Sequence, residues 1–105
     1  MDQIAVLKIV QRFRKALEAR GVVPEKMILY GSHARGAAGE ESDIDLIVIS
    51  RDFEHKTFWQ RIELLSEAIY AVLEPIEAVA MTPEEWEAGD SPLVDFAKDG
   101  QVVVG

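Results

Sequence analysis

Residues 43–50, DIDLIVIS, alternate so that Asp43, Asp45, Ile47 and Ile49 face one way and Ile44, Leu46 and Val48 the other. Beyond Asp45 both faces are apolar, as in a strand that lies inside a sheet and is covered on both sides. The rest of the chain therefore has to supply two covers.

Helical periodicity provides the first candidates. Residues 3–20 place Ile4, Leu7, Val10, Phe13 and Leu17 at spacings of three and four, with most charges elsewhere around the cylinder. This predicts an amphipathic helix with that stripe inward, ended by Gly21. Residues 56–73 predict a second long helix with Phe58, Ile62, Leu65, Ile69 and Val72 or Leu73 inward, and Pro75 bars its continuation. Met27–Tyr30 reads as a buried strand stopping at Gly31, residues 76–81 as a third strand, and Val102–Val104 as a short edge strand. Thr82-Pro83-Glu84-Glu85 has the form of a capping box, which makes Glu85 a cap rather than a catalyst. Ser91-Pro92 starts a further short helix that Gly100 ends. This order predicts a small α/β domain, with residues 1–105 as one unit.

Composition narrows the function. With no cysteine there is no disulfide framework, thiolate metal site or cysteine nucleophile. The longest apolar runs are a few residues, too short for a membrane span or the apolar core of a secretory signal, so cytoplasmic residence is the expectation. A formal net charge of −8 opposes binding to the phosphate backbone of a long nucleic acid and disfavours nucleic acid as the direct substrate. An acidic protein still binds a nucleotide when divalent metal stands between the charges.

The chemistry concentrates in residues 31–50, GSHARGAAGEESDIDLIVIS. Two residues apart on a strand, Asp43 and Asp45 share a face with Cα atoms about 6.6 Å apart, at about 3.3 Å per residue. Each would raise the other's pKa unless cations offset the repulsion, and magnesium, with its preference for oxygen ligands, suits them. Alone, the pair also describes a solvated strand entrance. The context is Gly31-Ser32, with ten residues between Ser32 and Asp43, close enough for turn and aspartates to meet across adjacent strands. Gly31 admits a close backbone approach, and Ser32 with the amides after it is expected at a helix N-terminus that favours phosphate. Ser32 is also an N-cap candidate, and the two roles are compatible. Arg35 reads either as a phosphate clamp or as a surface ion pair with Glu40 or Glu41. Gly36 is expected to end the short helix, and His33 to lie at the surface or face a partner. Trp59 and Trp86, on helix flanks, read as packing more than as adenine platforms.

Gly31-Ser32, ten residues, then Asp43-Ile44-Asp45 followed by Leu46-Ile47-Val48 resembles the signature of the DNA polymerase β-type nucleotidyltransferases. The fuller string GSxARGxxxxxSDIDL resembles their minimal stand-alone branch. The resemblance implies a palm-like fold, a small mixed β-sheet flanked by helices. It also implies a third carboxylate on the next strand, commonly aspartate; the matching position here is Glu77, which reaches one methylene further. Asp43, Asp45 and Glu77 would then be the catalytic and metal residues, and Gly31, Ser32 and Arg35 would bind the nucleotide. The implied ligands are two Mg²⁺ ions and a nucleoside triphosphate, ATP.

The acceptor is the remaining question, because larger members add domains that hold it and this chain has no such segment to spare. Minimal members often pair with a helical HEPN-domain ribonuclease toxin. The resemblance thus implies an antitoxin that transfers AMP from ATP to a tyrosine of that partner. Two alternatives stay open: a small-molecule nucleotidyltransferase, and a non-catalytic binding module that inhibits its partner stoichiometrically. A site built on phosphates and metals reads little of the base.

Overall fold

The structure is a computed structural model and describes residues 2–34 and 43–105. Helix α1 spans Gln3–Glu18, strand β1 Lys26–Tyr30, β2 Ile44–Ile49, helix α2 Phe58–Val72, β3 Ile76–Met81, α3 Pro83–Ala88, α4 Pro92–Ala97 and β4 Gln101–Val104. The four strands form one mixed sheet in the order β3-β2-β1-β4. β1 pairs antiparallel with β2 and β4, whereas β2 and β3 run parallel. The chain thus has the small mixed sheet with flanking helices expected from its sequence, and β2 lies inside it.

Period-two alternation divides the sheet into two faces. Met27, Leu29, Leu46 and Val48 join Val10, Phe13 and Leu17 of α1 and Leu65, Ala68 and Val72 of α2 in the main core. Ile28, Ile47, Ile49 and Met81 face the other way and pack with Val94 and Ala97 of α4. Both covers of β2 are therefore present, but the second is smaller and closes only part of its face.

The helix starts follow local chemistry. Asp2 accepts from the Ala5 amide at 2.8 Å to cap α1, and Thr57 with Gln60 forms a capping box on α2. Thr82 and Glu85 form the predicted box on α3, with the Thr82 amide donating to Glu85 Oε1 at 2.7 Å. The same carboxylate accepts from Arg61 Nη1 at 2.6 Å, tying α2 to α3. Burial opposes the Glu85 charge, yet the Thr82 amide and the Arg61 guanidinium hold its carboxyl below the usual carboxylate value. Because Thr82 is buried and is the N-cap, Thr82→Ala is expected to cost about 1 kcal/mol in urea denaturation.

Two helix faces differ from the sequence reading. On α1, Val6 and Ile9 are buried with Val10, Phe13 and Leu17, while Ile4 is 68% exposed and Leu7 half-buried. Two overlapping stripes share Val10, Phe13 and Leu17, and docking on the sheet and α2 selects between them. On α2, Leu65, Ala68 and Val72 are buried and Ile69 is half-buried, but Phe58, Ile62 and Leu73 are exposed. The strand beneath the start of α2 is the last in the sheet and carries the small residues Ala78 and Ala80, so Phe58 and Ile62 have no further layer to enter. Among the described residues no helix is long and apolar enough to cross a membrane.

Candidate active site

The register places one row of side chains across three strands: Tyr30 of β1 pairs with Asp45 of β2, which pairs with Glu77 of β3. The row shares its face with Ile28, Ile47 and Val79, one pleat further into the sheet, where α4 and Trp86 of α3 provide cover. Tyr30 borders that apolar cluster. Asp43 immediately precedes β2, on the same face by alternation. One end of the half-covered face thus gathers three carboxylates, two from the start of the interior strand and one from its parallel neighbour.

Their proximity is electrostatically visible. Glu77 is raised above the ordinary 4.5, first by the charge of Asp43, then by hydrogen bonding and charge from Asp45, with a hydrogen bond from Asp43 and burial adding to it. Tyr30 is raised as well, by burial first and then by the charges of Asp45 and Glu77. The row is therefore an anionic end that favours protons or cations.

Gly31, directly after β1, sets the distance between turn and carboxylates. Its φ is +74°, and a Cβ placed on it would collide with Asp45 Oδ2. Only glycine combines that left-handed backbone with so close an approach. Ser32 follows in a turn covering residues 31–34 and is half-buried. Residues 32–34, where a short helix was expected to open, are turn, and Arg35 and Gly36 lie outside the described residues.

His33, expected at the surface, is instead buried at 5% exposure. A single position within a turn has no periodicity from which burial could be read. Trp86 packs against the smaller core, as expected of a helix flank. Trp59 departs from the packing expectation: it is 73% exposed and makes an edge-on contact with Phe58, ring centroids 5.2 Å apart. Tyr30 was absent from the sequence-based site. The available signal was that β1 ends at Gly31 and β2 begins at Asp43, which in an antiparallel pair puts the last residue of one beside the first of the other.

The donor set fits a divalent cation in chemistry. Asp43, Asp45 and Glu77 offer hard oxygen atoms, and their mutual repulsion is what such an ion relieves. Among the described residues no three acidic or imidazole groups form a closed metal cage as they stand.

Comparison with known proteins agrees with this architecture. A family model described as a nucleotidyltransferase domain matches residues 10–101, a span that contains all the residues discussed above for the site. Among solved structures, a candidate nucleotidyltransferase from Sulfolobus solfataricus superposes with a TM-score of 0.71 at 20% identity, covering 95% of this chain and 80% of that one. A chain of a toxin–antitoxin structure determined with AMP-PNP gives a TM-score of 0.63 at 21% identity, covering 90% of this chain and 72% of that one. No curated protein matches the chain.

Proposed function

The chain belongs to the nucleotidyltransferase domain family, and from that premise we propose that it transfers AMP from ATP to a hydroxyl, that of a tyrosine, on a partner protein. The partner is a HEPN-domain toxin, and the modification makes this chain its antitoxin. The observation that carries the reading is the gathering of Asp43, Asp45 and Glu77 beside the left-handed Gly31. It draws further support from the fold shared with a toxin–antitoxin structure containing AMP-PNP.

In this reading Asp43, Asp45 and Glu77 hold Mg²⁺. When bound, the metal supplies neutralising charge for the phosphates and lowers the cost of removing the acceptor's proton. Gly31 and Ser32 offer backbone amides to the outer phosphates, and Arg35 adds a guanidinium to them. The acceptor oxygen forms its bond to the α-phosphorus as the bond from that phosphorus to the bridging pyrophosphate oxygen breaks. Glu77, beside Asp45 in the parallel register, would receive the hydroxyl proton. Tyr30 closes the apolar side of the row and limits water there. The proposed setting is the cytoplasm, with the catalytic residues supplied by one domain over residues 1–105 and the acceptor by the partner.

The test is incubation of the purified protein with ATP labelled at the α-phosphate, Mg²⁺ and host lysate, beside an Asp43→Asn/Asp45→Asn control. The expected result is one labelled host protein, absent in the control, with the label on tyrosine. Label on a small molecule would reassign the acceptor class. Binding of ATP without any label in the presence of the partner would leave a binding module.

A further inference from the structure

The outer side of β3 lies at the border of the sheet, and among the described residues no strand pairs with it. Such edges are ordinarily blunted by lysine, proline, a bulge or a covering element. Here Ala78-Val79-Ala80-Met81 carries neither charge nor proline, and its register with β2 is regular from Ile76 to Met81. The N-terminal half of α2 forms a wall beside this edge. Between them lies a groove of about 470 Å³, lined among others by Phe58, Ile62 and Leu65 from the helix and Ala78 and Ala80 from the strand. Phe58 is 66% exposed and Ile62 37%, which is costly for a helix face that meets only water.

We infer that this groove takes an extended segment of the acceptor protein, added to β3 as a fifth strand, with apolar side chains at alternate positions and lysine or arginine flanking them. An incoming strand supplies what the edge lacks, hydrogen-bond partners for its main chain, and every second side chain meets the apolar wall. Charge selects the flanks. Within the groove Arg61 is paired with Glu85 at 2.6 Å, leaving Lys56 as the lining cation. The adjoining depression along the strand adds Glu84 and Asp90, and Glu77 stands at the other end of β3. A second copy of this chain would set those acidic rims against themselves in a two-fold contact, on a chain already at −8. The inference rests on the acceptor being a protein, and it explains how one reaches the site: a strand paired with β3 that continues past Ala78 comes alongside Glu77, with the side chains opposite those on the α2 wall turned to the carboxylate face.

The experiment is selection of random twelve-residue peptides displayed on phage against the full chain, without nucleotide, followed by fluorescence polarisation with synthesised peptides. Selected sequences are expected to alternate apolar residues between basic flanks. Ile62→Asp should weaken their binding at least tenfold, and Phe58→Ala, at an exposed position that leaves folding intact, by several-fold. Bound peptide should slow amide exchange at Ala78–Met81 at least tenfold, and Asp45→Asn should bind as the parent does. Failure to select any peptide, apolar positions repeating every three or four residues, equal binding by both groove variants, or dimerisation of the chain through this face would overturn the inference. Transfer is read separately. If tyrosine-bearing peptides bind at the groove but take no label from α-labelled ATP, docking stands and the protein-transferase reading falls. Undiminished labelling of the partner by Ile62→Asp would do the reverse.

Discussion

Replacing Asp45 by asparagine is expected to lower nucleotidyl transfer by about three orders of magnitude. Metal-based charge stabilisation is worth several kcal/mol, and each ~1.4 kcal/mol is tenfold in rate. The same substitution has a second, opposite effect. Glu77 binds its proton more tightly in the folded chain than the ordinary 4.5 because Asp43 and Asp45 stand beside it. A carboxyl raised on folding contributes stability that is fully present below its unfolded pKa and lost as pH rises through its folded one. As pH rises and Glu77 loses its proton, the metal-free parent therefore carries more repulsion between Glu77 and the two aspartates beside it, and Asp45→Asn removes part of it. Differential scanning fluorimetry should show the variant melting above the parent without metal at pH 8. Mg²⁺ should raise the parent's melting temperature and raise the variant's less. Below pH 4.5 the two proteins should converge and the metal response should shrink. A parent that melts identically with and without Mg²⁺ at pH 8 would contradict the assignment of these carboxylates as metal ligands.

The geometry of the candidate site was legible in the sequence where a spacing fixes it. Alternation in DIDLIVIS places both aspartates on one face whatever surrounds the strand, and the β1–β2 pairing needs only the turn at Gly31 to bring them beside it. Glu77 came from resemblance, and the parallel register then sets it directly against Asp45. Tyr30 escaped because a residue's neighbours across a sheet depend on register, which no single segment encodes. Arg35 stays a sequence-level proposal, since it lies outside the described residues.

The fold was legible to the extent that its elements are periodic or capped. Residues 76–81 and the Thr82–Glu85 box stand where alternation and capping put them. Helix faces were harder, since a helix with two overlapping apolar stripes is assigned its inward face by its partners. On α1 this exchanged Ile4 for Val6 and Ile9. On α2 it left Phe58 and Ile62 beside an open strand edge, and the departure from the expected pattern is itself what marks the groove.

Gly31→Ala is expected to reduce transfer at least about 100-fold while the protein stays folded. Displacing a reacting group by about an ångström has that order of effect, and here the added methyl would occupy the place of Asp45 Oδ2. The backbone adds its own cost, since a φ of +74° is strained for any residue with a Cβ, by about 1–3 kcal/mol. Gly21→Ala separates the two contributions. Gly21 has a φ of +87°, but a methyl added there would meet nothing within 4 Å, so that variant carries the strain without the collision. Both should lose stability in urea denaturation, Gly31→Ala at least as much as Gly21→Ala, yet only Gly31→Ala should lose activity, through kcat more than KM if Asp45 acts on the reacting phosphate as proposed. Ser32→Ala should fall between them, since it removes a hydroxyl and keeps the backbone amides. Equal activity in the two glycine variants would mean that Asp45 yields freely to the methyl, and the close packing of turn against carboxylate would then have no part in positioning the reaction.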